Sequence, residues 1–288
     1  MSGPADPWRN YWSTKIGTAA AGRILVRGYR AEELIEKLSF AASTYLIIRG
    51  ELPTPVQAQA LDAALRSGLD QAFINSAVPP ARFAASAAPE APAAAIAAGV
   101  IAFGSVTGSP AQCAEMLAKG YADMTAEDLE PGPAASRIID DYRQAGLRIP
   151  GLGHPMHKEA EPRARALSAV ARDLGVWGPR AELLEALERA AAERFARPLP
   201  ANLAGVMAAV LLEIGFEPLE MVGLAVMSYL PSLVAHTVEE IREGVPLRII
   251  PEELGAHYAG PAERPLPEGW GNKQDQATKS NMAKEDTT

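Results

Sequence analysis

Two long stretches without a charged residue limit what this chain can fold into: Ala91–Ala114 and Met221–Val238. By length, each could cross a membrane. The first, however, is mostly Ala, Gly, Ser and Pro, and the second is interrupted by Pro231 and carries His236 near its end, which disfavours a place in hydrocarbon. We therefore predict that both are helices buried on all sides. Such helices need a large protein body or a partner subunit around them, which points to an oligomer.

The composition excludes several classes of protein. Of the 288 residues, 48% are hydrophobic and 22% are charged, which is typical of a globular chain of one or two domains and too apolar for a disordered one. The net charge of -8, with no run of Lys or Arg, argues against nucleic acid as a partner. The single cysteine, Cys113, excludes an intramolecular disulfide, and the N-terminus lacks the apolar core of a secretory signal. We expect a cytoplasmic protein without a membrane partner.

The pattern of apolar residues is helical almost throughout, so the predicted fold class is all-α. Only Ile24–Gly28 resembles a strand, and Gly17–Gly22 before it is predicted as a turn. Ser39 is a candidate N-cap, Thr54 begins a capping box, and Gly50 marks a helix end. Helices are predicted over 31–37 and 40–49, from 55 onward, from 162 onward and over 180–197.

Proline- and glycine-rich segments suggest how the chain is divided. Glu130–Pro133 and the pair Pro198 and Pro200 bracket the most polar helices. We predict a large helical domain formed by residues 1–112 and 201–261, with a smaller helical domain, 113–200, inserted into it. The last segment, 262–288, is predicted to be a flexible tail, because it has almost no apolar residues beyond position 271.

His154 lies in the turn-rich run Gly151-Leu-Gly-His-Pro-Met-His157. The two glycines allow backbone conformations that bring an imidazole and nearby N–H groups close to a ligand. The alternative is a loop histidine with no role, since many histidines are merely solvated or hydrogen-bonded. A metal shared by His154 and His157 lacks a third ligand at a suitable spacing, so we predict no metal.

Arg163 follows Pro162, which is predicted as the first residue of a helix. The positive end of the helix dipole disfavours a cation at this position. An anion bound between the helix start and the guanidinium would explain the placement. The alternative is an exposed arginine in a surface salt bridge.

The run from Gly151 to Leu167 resembles the signature of the citrate synthase superfamily, in which Gly-x-Gly-His is followed by Asp-Pro-Arg. The resemblance extends to Arg27-Gly-Tyr29, Glu32-Glu-Leu34, Ser39-Phe40, Tyr45-Leu46, Gly50-Glu-Leu-Pro-Thr54 and Val234-Ala-His-Thr-Val-Glu239. It spans about residues 14–261. The compact length and the His-Pro-x-His-Lys form resemble citryl-CoA lyases more than full-length citrate synthases.

The resemblance implies a citrate synthase-like, all-α fold, with a large and a small domain closing over the active site of a homodimer. It implies a Claisen condensation, or its reverse, between an acyl-CoA and a keto-acid or hydroxy-acid, with the CoA thioester as substrate and no permanently bound cofactor. His154 would polarise the keto carbonyl and Arg163 would bind a carboxylate. The predicted substrate-binding set also includes Gly153, His157 and Asn202.

Four positions depart from the family pattern. Thr107 stands where the family has its enol-stabilising histidine, Ala204 stands at the carboxylate base, and Tyr229 replaces an arginine. The family's Asp-His pair aligns near Gln71-Ala72. General acid or base catalysis contributes about 10²- to 10⁴-fold, so these losses should cripple ordinary citrate chemistry.

Two classes of function therefore stay open. The first is a citryl-CoA lyase-like enzyme acting on a substrate with fewer carboxylates, in which His154 would be the base and Tyr229 or Thr107 the hydrogen-bond donor. The second is a catalytically silent paralogue that binds an acyl-CoA or an organic acid, or that partners an active subunit. Retention of His154 and Arg163 favours the enzyme, whereas Ala204 favours the silent paralogue.

Overall fold

The computed structural model describes residues 11–104, 109–255 and 257–267. The chain forms one compact unit up to Leu247 and a second from Arg248 onward, and each is treated by itself. The predicted split into a large domain and an inserted domain, 113–200, stays a prediction. The predicted flexible tail, 262–288, lies outside the described residues from position 268 on.

The described part of the chain is mostly helical with little strand, which confirms the predicted all-α class. The helices are α1 (Ala31–Lys37), α2 (Phe40–Arg49), α3 (Pro55–Ser67), α4 (Val78–Ala87), α5 (Pro92–Ile101), α6 (Pro110–Glu127), α7 (Pro131–Gln144), α8 (Pro162–Asp173), α9 (Pro179–Phe195), α10 (Leu203–Glu213) and α11 (Pro218–Glu243). Short 3₁₀ helices cover Ala72–Ile74 and Glu252–Leu254.

Local capping chemistry explains why several helices begin and end where the sequence predicts. The Thr54 hydroxyl accepts from the Gln57 backbone N–H at 3.2 Å, and the Thr54 N–H donates to the Gln57 side chain at 2.8 Å, which completes the capping box of α3. The Ser39 hydroxyl accepts from the Ala42 N–H at 3.2 Å. Gly50 ends α2 with φ of 87°, a left-handed conformation that glycine adopts without strain.

A small antiparallel sheet precedes the helices and corrects one prediction. It consists of β1 (Gly17–Ala20), β2 (Arg23–Val26) and β3 (Tyr29–Arg30) in that order. The predicted turn at Gly17–Gly22 is therefore a strand for its first four residues, with Ala20 paired to Arg23. The chain reverses direction over only two residues, Ala21 and Gly22, so residues 17–20 can pair with β2.

The core lies around α10, which is buried from Gly205 to Leu212. Against it pack α3, α6, α8, α9 and α11. The two uncharged stretches are less enclosed than predicted, because α5 ends at Ile101, whose exposure is 82%, and α11 exposes one apolar face. Among the described helices, only α11 is long and apolar enough to cross a membrane, and the core helix of a soluble protein passes the same test.

Close packing of α5 on α11 gives a stability prediction. A Cβ added at Gly99 would lie 2.7 Å from Leu233 Cδ2 and 2.8 Å from the Ala77 carbonyl oxygen. We expect Gly99→Ala to lower the free energy of unfolding by about 1–3 kcal/mol through overpacking. Gly132→Ala in α7 is the control, since a Cβ there meets no atom within 4 Å. Chemical denaturation measures the free energy of unfolding of both variants. If Gly99→Ala were as stable as Gly132→Ala, the packing described here would be contradicted.

Candidate functional site

The loop that carries His154 is pinned by backbone contacts to the segment before α10. Leu152 and Ala201 form an isolated antiparallel bridge. The Asn202 N–H donates to the Gly151 carbonyl at 2.9 Å, and the Gly153 N–H donates to the Pro200 carbonyl at 2.7 Å. Gly151 and Gly153 have φ of 81° and 77°, so both positions use the left-handed region that glycine tolerates. These contacts fix the backbone just before His154.

Asn202 joins this loop to α10 through both ends of its side chain. Its Oδ1 accepts from the Gly205 N–H at 3.1 Å, which caps α10, and its Nδ2 donates to the Gly153 carbonyl at 2.9 Å. The predicted substrate-binding roles of Asn202 and Gly153 stay predictions. What the contacts give these residues is a positioning role, because both hold the loop against the helix start.

His154 is held as a neutral hydrogen-bond donor. Its Nδ1 accepts from the backbone N–H groups of Met156 and His157, at 3.2 Å and 3.1 Å, so the ring hydrogen is on Nε2. Nε2 lies 3.0 Å from the side-chain amide of Gln71, which must therefore present its oxygen, since the two amide atoms are interchangeable by a flip. Burial, followed by the nearby charge of His157, lowers the pKa of His154.

His157 supports this ring from the side. The centroids of the His154 and His157 rings are 4.6 Å apart, with planes inclined by 33°. Lys158 Nζ donates to the His154 carbonyl at 3.2 Å. The positive charge of Lys158 favours the neutral form of His154 and so lowers its pKa, in the same direction as burial. A substrate-binding role for His157 stays a prediction, whereas its contact with His154 is direct.

Arg163 has a protein carboxylate as its partner. Glu161, which is buried, caps α8 by accepting from the Arg163 and Ala164 N–H groups, and its Oε1 lies 2.8 Å from Arg163 Nε. The anion expected at this helix start is therefore at least in part the chain's own Glu161. Burial acts to raise the pKa of Glu161, but the hydrogen bond and charge of Arg163 and the helix N–H groups outweigh it and lower the pKa.

The terminal nitrogens of Arg163 are the part of this group that a ligand can use. Within the described residues, the polar contacts of the Arg163 side chain involve only Nε. Arg163 lines an open cleft of about 320 Å³ together with Asp70, Arg66 and residues of α3 and α8. A volume of this size is at the lower end of the range for small-molecule sites. The cleft beside the guanidinium therefore has room for a small molecule.

A line of polar side chains on α11 faces this region, and the motif analysis missed most of it. Ser228, Ser232, His236 and Glu240 follow one another at intervals of four residues and therefore share one face of the helix. Ser228 donates to the Leu65 carbonyl at 2.8 Å. The regular spacing of polar residues in an otherwise apolar helix was the sequence signal that could have found this line.

Asp70 receives the central contacts of this line. Its Oδ1 accepts from Ser232 Oγ at 2.7 Å and from the Ala72 N–H at 3.1 Å, and lies 3.2 Å from His236 Nε2. On the other side of the same imidazole, Arg82 Nη1 lies 3.1 Å from His236 Nδ1. Because arginine only donates, His236 carries its hydrogen on Nε2 and donates to Asp70.

In the turn from Asp70 to Ala72, two consecutive residues contact two different histidines of the site. Asp70 contacts His236, and the next residue, Gln71, contacts His154. Ala72 has φ of 47°, in the left-handed region that costs a non-glycine residue about 1–2 kcal/mol. Strained backbone of this kind clusters at functional sites.

Comparison with known proteins places the chain in a family. Residues 54–250 match the family described as "Citrate synthase, C-terminal domain", which is more than half of the chain. The chain belongs to the citrate synthase family. The match includes the His154 loop, Arg163 and the polar line on α11.

Solved structures of citrate synthase-like proteins share the fold. Citryl-CoA lyase from Hydrogenobacter thermophilus is 30% identical, with a TM-score of 0.81 over 90% of this chain and 98% of the lyase chain. The ATP citrate lyase of Methanosaeta concilii, in complex with (3S)-citryl-CoA, is 18% identical, with a TM-score of 0.73 over 91% of this chain and 43% of its own. The second likeness concerns the fold alone.

Curated relatives in the citrate synthase family are longer than this chain. A Mycobacterium tuberculosis protein named "Putative citrate synthase 2" is 28% identical over 238 residues, which are 81% of this chain and 60% of that protein. The chain thus spans about 60% of the curated relatives that it matches.

Of the two further predicted site residues, Thr107 and Tyr229, the structure describes only Tyr229. Thr107 lies outside the described residues. Tyr229 is buried on α11 against Phe103, with ring centroids 5.0 Å apart, and its hydroxyl has no hydrogen-bond partner in the described part of the chain. Burial raises the pKa of Tyr229, so it is a neutral donor. The structure describes no contact between Tyr229 and His154, and its catalytic role stays a prediction.

Metal and thiol chemistry receive no structural support at this site. Among the described residues, no three His, Cys, Asp or Glu side chains converge in a way that could hold a metal ion. Cys113 is buried, and burial raises the pKa of its thiol to about 12. Its sulfur lies against Gly151, where an added Cβ would be 2.5 Å from Sγ. Cys113 therefore packs under the His154 loop.

The lowered pKa of His154 predicts a specific effect of acid on folding. The neutral imidazole is the form that the fold favours, so this contribution to stability is complete above the ordinary histidine pKa of about 6.5 and is lost as the pH falls through the lower, folded value. We expect His154→Gln to reduce the loss of unfolding free energy between about pH 7.5 and about pH 5. Denaturant titrations at each pH measure this loss of unfolding free energy. His257→Gln, at an exposed position, is the control. Identical slopes for His154→Gln and wild type would refute the prediction.

Proposed function

We propose that this chain makes or breaks a carbon–carbon bond between an acyl-CoA and a keto-acid, by a Claisen or retro-Claisen reaction. The observation that carries the proposal is a neutral His154 with its hydrogen on Nε2, and Arg163 adds terminal nitrogens that make no polar contact within the described residues. Family membership and the likeness to a citryl-CoA lyase over nearly all of that chain support it.

His154 suits the reacting keto oxygen. In the condensation, the nucleophilic carbon of the acyl group attacks the keto carbon, and the oxygen gains negative charge before it takes up a proton. In cleavage, the hydroxyl loses its proton and the carbonyl re-forms as the carbon–carbon bond breaks. The Nε2–H of His154 stabilises that developing charge in both directions, once the Gln71 amide has moved off Nε2. With Nδ1 engaged by two donors, His154 offers no free lone pair, so the contacts do not support it as the base.

Arg163 suits a carboxylate of the acid. Its Nε is bound to Glu161, which fixes the guanidinium plane. Arg163 lines the cleft, and its two terminal nitrogens form the kind of fork that carboxylates accept. The positive charge is partly neutralised by Glu161. This reduced positive charge agrees with a substrate of fewer carboxylates. The CoA thioester enters as a substrate.

A catalytically silent paralogue is the second candidate, and Ala204 favours it. The position that aligns with the family's carboxylate base carries a methyl group in the first turn of α10. Such a protein would bind an acyl-CoA or an organic acid, or partner an active subunit, without turnover.

A homodimer is part of the proposal. Four apolar residues on α11, spaced so that they share one face, have exposures of 37% to 90% in the single chain: Leu219, Val222, Leu230 and Val234. An exposed apolar stripe of this length on a central helix is typical of an interface between subunits. A second copy of the same chain is the occupant that the family resemblance implies.

The catalytic proposal is tested by steady-state assays with citryl-CoA and with acetyl-CoA plus oxaloacetate. We expect His154→Ala to lower kcat by about 10²- to 10³-fold, because a donor to the developing charge is lost. Arg163→Lys keeps the charge beside Glu161 but loses the fork, and should raise the KM of the acid by about tenfold. Arg165→Ala, exposed on the same helix, is the control.

Two outcomes would count against the enzyme. Turnover that survives His154→Ala unchanged would remove the proposed role of the imidazole. Absence of turnover, together with a rise in melting temperature on addition of CoA or acetyl-CoA, would support the silent paralogue.

The dimer proposal predicts a change in molecular mass. We expect Leu230→Glu to convert the dimer to a monomer, because it places a charge in the centre of the apolar stripe, as measured by light scattering after size-exclusion chromatography. Leu147→Glu, at a position 64% exposed outside α11, should remain dimeric. A monomeric wild type, or a dimer that tolerates Leu230→Glu, would contradict the proposal.

A further inference from the structure

Carbon–carbon bond formation next to a thioester needs a group that removes a proton from the acyl carbon. Ala204 offers none, and His154 is engaged as a donor. The carboxylates of Glu239 and Glu240 are engaged by Arg82, at 3.4 Å and 2.6 Å. If the chain carries out the proposed function, another residue must supply the base.

Asp70 has the geometry of a prepared base. All three of its hydrogen bonds, from Ser232, His236 and the Ala72 N–H, go to Oδ1. Oδ2 receives none within the described residues. Asp70 lines the same cleft as Arg163, and its side chain is 52% exposed. One oxygen is therefore fixed by the protein, and the other is available to a ligand in the cleft.

The position of Asp70 in the chain brings it close to the carbonyl-binding group. Gln71, its direct neighbour, contacts His154 Nε2 at 3.0 Å, and consecutive Cα atoms are about 3.8 Å apart. Asp70 is therefore one residue away in the chain from the group that contacts His154. Arg163 and Asp70 line one cleft, so the acid would lie at Arg163, the keto oxygen at His154 and the acyl carbon at Asp70.

We propose that Asp70 is the catalytic base, acting through Oδ2 in place of the carboxylate missing at Ala204. In the condensation, a C–H bond of the acyl-CoA breaks, its proton forms an O–H bond with Oδ2, and the electron pair forms the thioester enolate. The enolate carbon then attacks the keto carbon, the keto oxygen takes up a proton from water, and Oδ2 releases its own proton to water. In cleavage, the hydroxyl proton passes to water, Oδ2 takes up a proton from water, and Oδ2 transfers that proton to the enolate carbon as the carbon–carbon bond breaks.

The surroundings of Asp70 tolerate both protonation states. Protonation at Oδ2 leaves Oδ1 able to accept the same three hydrogen bonds, so no donor is left without a partner. The titratable group that faces it is His236 on α11, and the charged groups near it are Arg82 on α4 behind that imidazole, Arg66 on α3 and Arg163 on α8. Burial acts to raise the pKa of Asp70, but the hydrogen bonds from Ser232, His236 and Ala72 outweigh it and lower the pKa. The base is therefore ionised at neutral pH.

The test follows proton removal itself. Full-length protein is incubated with acetyl-CoA and oxaloacetate in D₂O, and deuterium in the acetyl methyl group is measured by mass spectrometry. We expect Asp70→Asn, which keeps the side-chain shape and the acceptor at Oδ1, to lower exchange by about 10²- to 10⁴-fold with acetyl-CoA binding unchanged. Asp62→Asn is the matched control, because Asp62 lies on α3 in an exposed pair with Arg66 and should exchange as wild type does.

A second variant separates catalysis from folding. Ser232→Ala leaves Asp70 in place and removes one hydrogen bond from Oδ1, so the acid limb of the exchange profile should move to higher pH. If the pH profile of exchange does not move in Ser232→Ala, the assignment is wrong. It is also wrong if Asp70→Asn exchanges as fast as wild type or no longer binds acetyl-CoA. A wild-type protein that binds acetyl-CoA without exchanging its methyl protons overturns it as well. Failure of the proposed function is seen separately, as a wild-type chain that binds no CoA thioester.

Discussion

A buried ion pair between Arg82 and Glu240 joins α4 to α11 beside the site, and the orientation of the site's polar groups depends on it. Arg82 Nε and Glu240 Oε2 are 2.6 Å apart, and the Glu240 side chain is fully buried. Removing one partner of such a pair costs about 3–5 kcal/mol, because a charge is left buried alone. The same guanidinium fixes the tautomer of His236, and His236 in turn orients Asp70. Electrostatics buried outside the cleft thus set the direction of a carboxylate inside it.

Much of the fold could be predicted from the sequence because its signals are local. The capping box at Thr54, the proline before Arg163 and the terminating Gly50 act within one helical turn, and the structure places helix boundaries at each. The strand at Gly17–Ala20 was missed because its pairing depends on β2 and not on its own composition. His154 and Arg163 could be identified from a motif, since both lie within one short run.

The contact between Gln71 and His154 could not be predicted in the same way. It joins residues 83 positions apart, and it depends on a left-handed conformation at Ala72, for which alanine gives no local signal. The sequence analysis also did not identify Glu161 as the partner of Arg163, although it stands only two residues before Arg163. The four-residue spacing of polar side chains on α11 was visible, but only the contacts show that Asp70 is the residue they converge on.

The backbone contact beneath the His154 loop has a consequence for how this sequence can change during evolution. A Cβ at Gly205 would lie 2.5 Å from the Gly151 carbonyl oxygen, and one at Gly151 would lie 2.9 Å from Gly205 Cα. Neither glycine has room for a side chain unless the other segment withdraws, although they are 54 positions apart. Drift at either position alone would separate the imidazole from the start of α10. The two positions therefore constrain each other, and a side chain at either one requires the segment that carries the other to move.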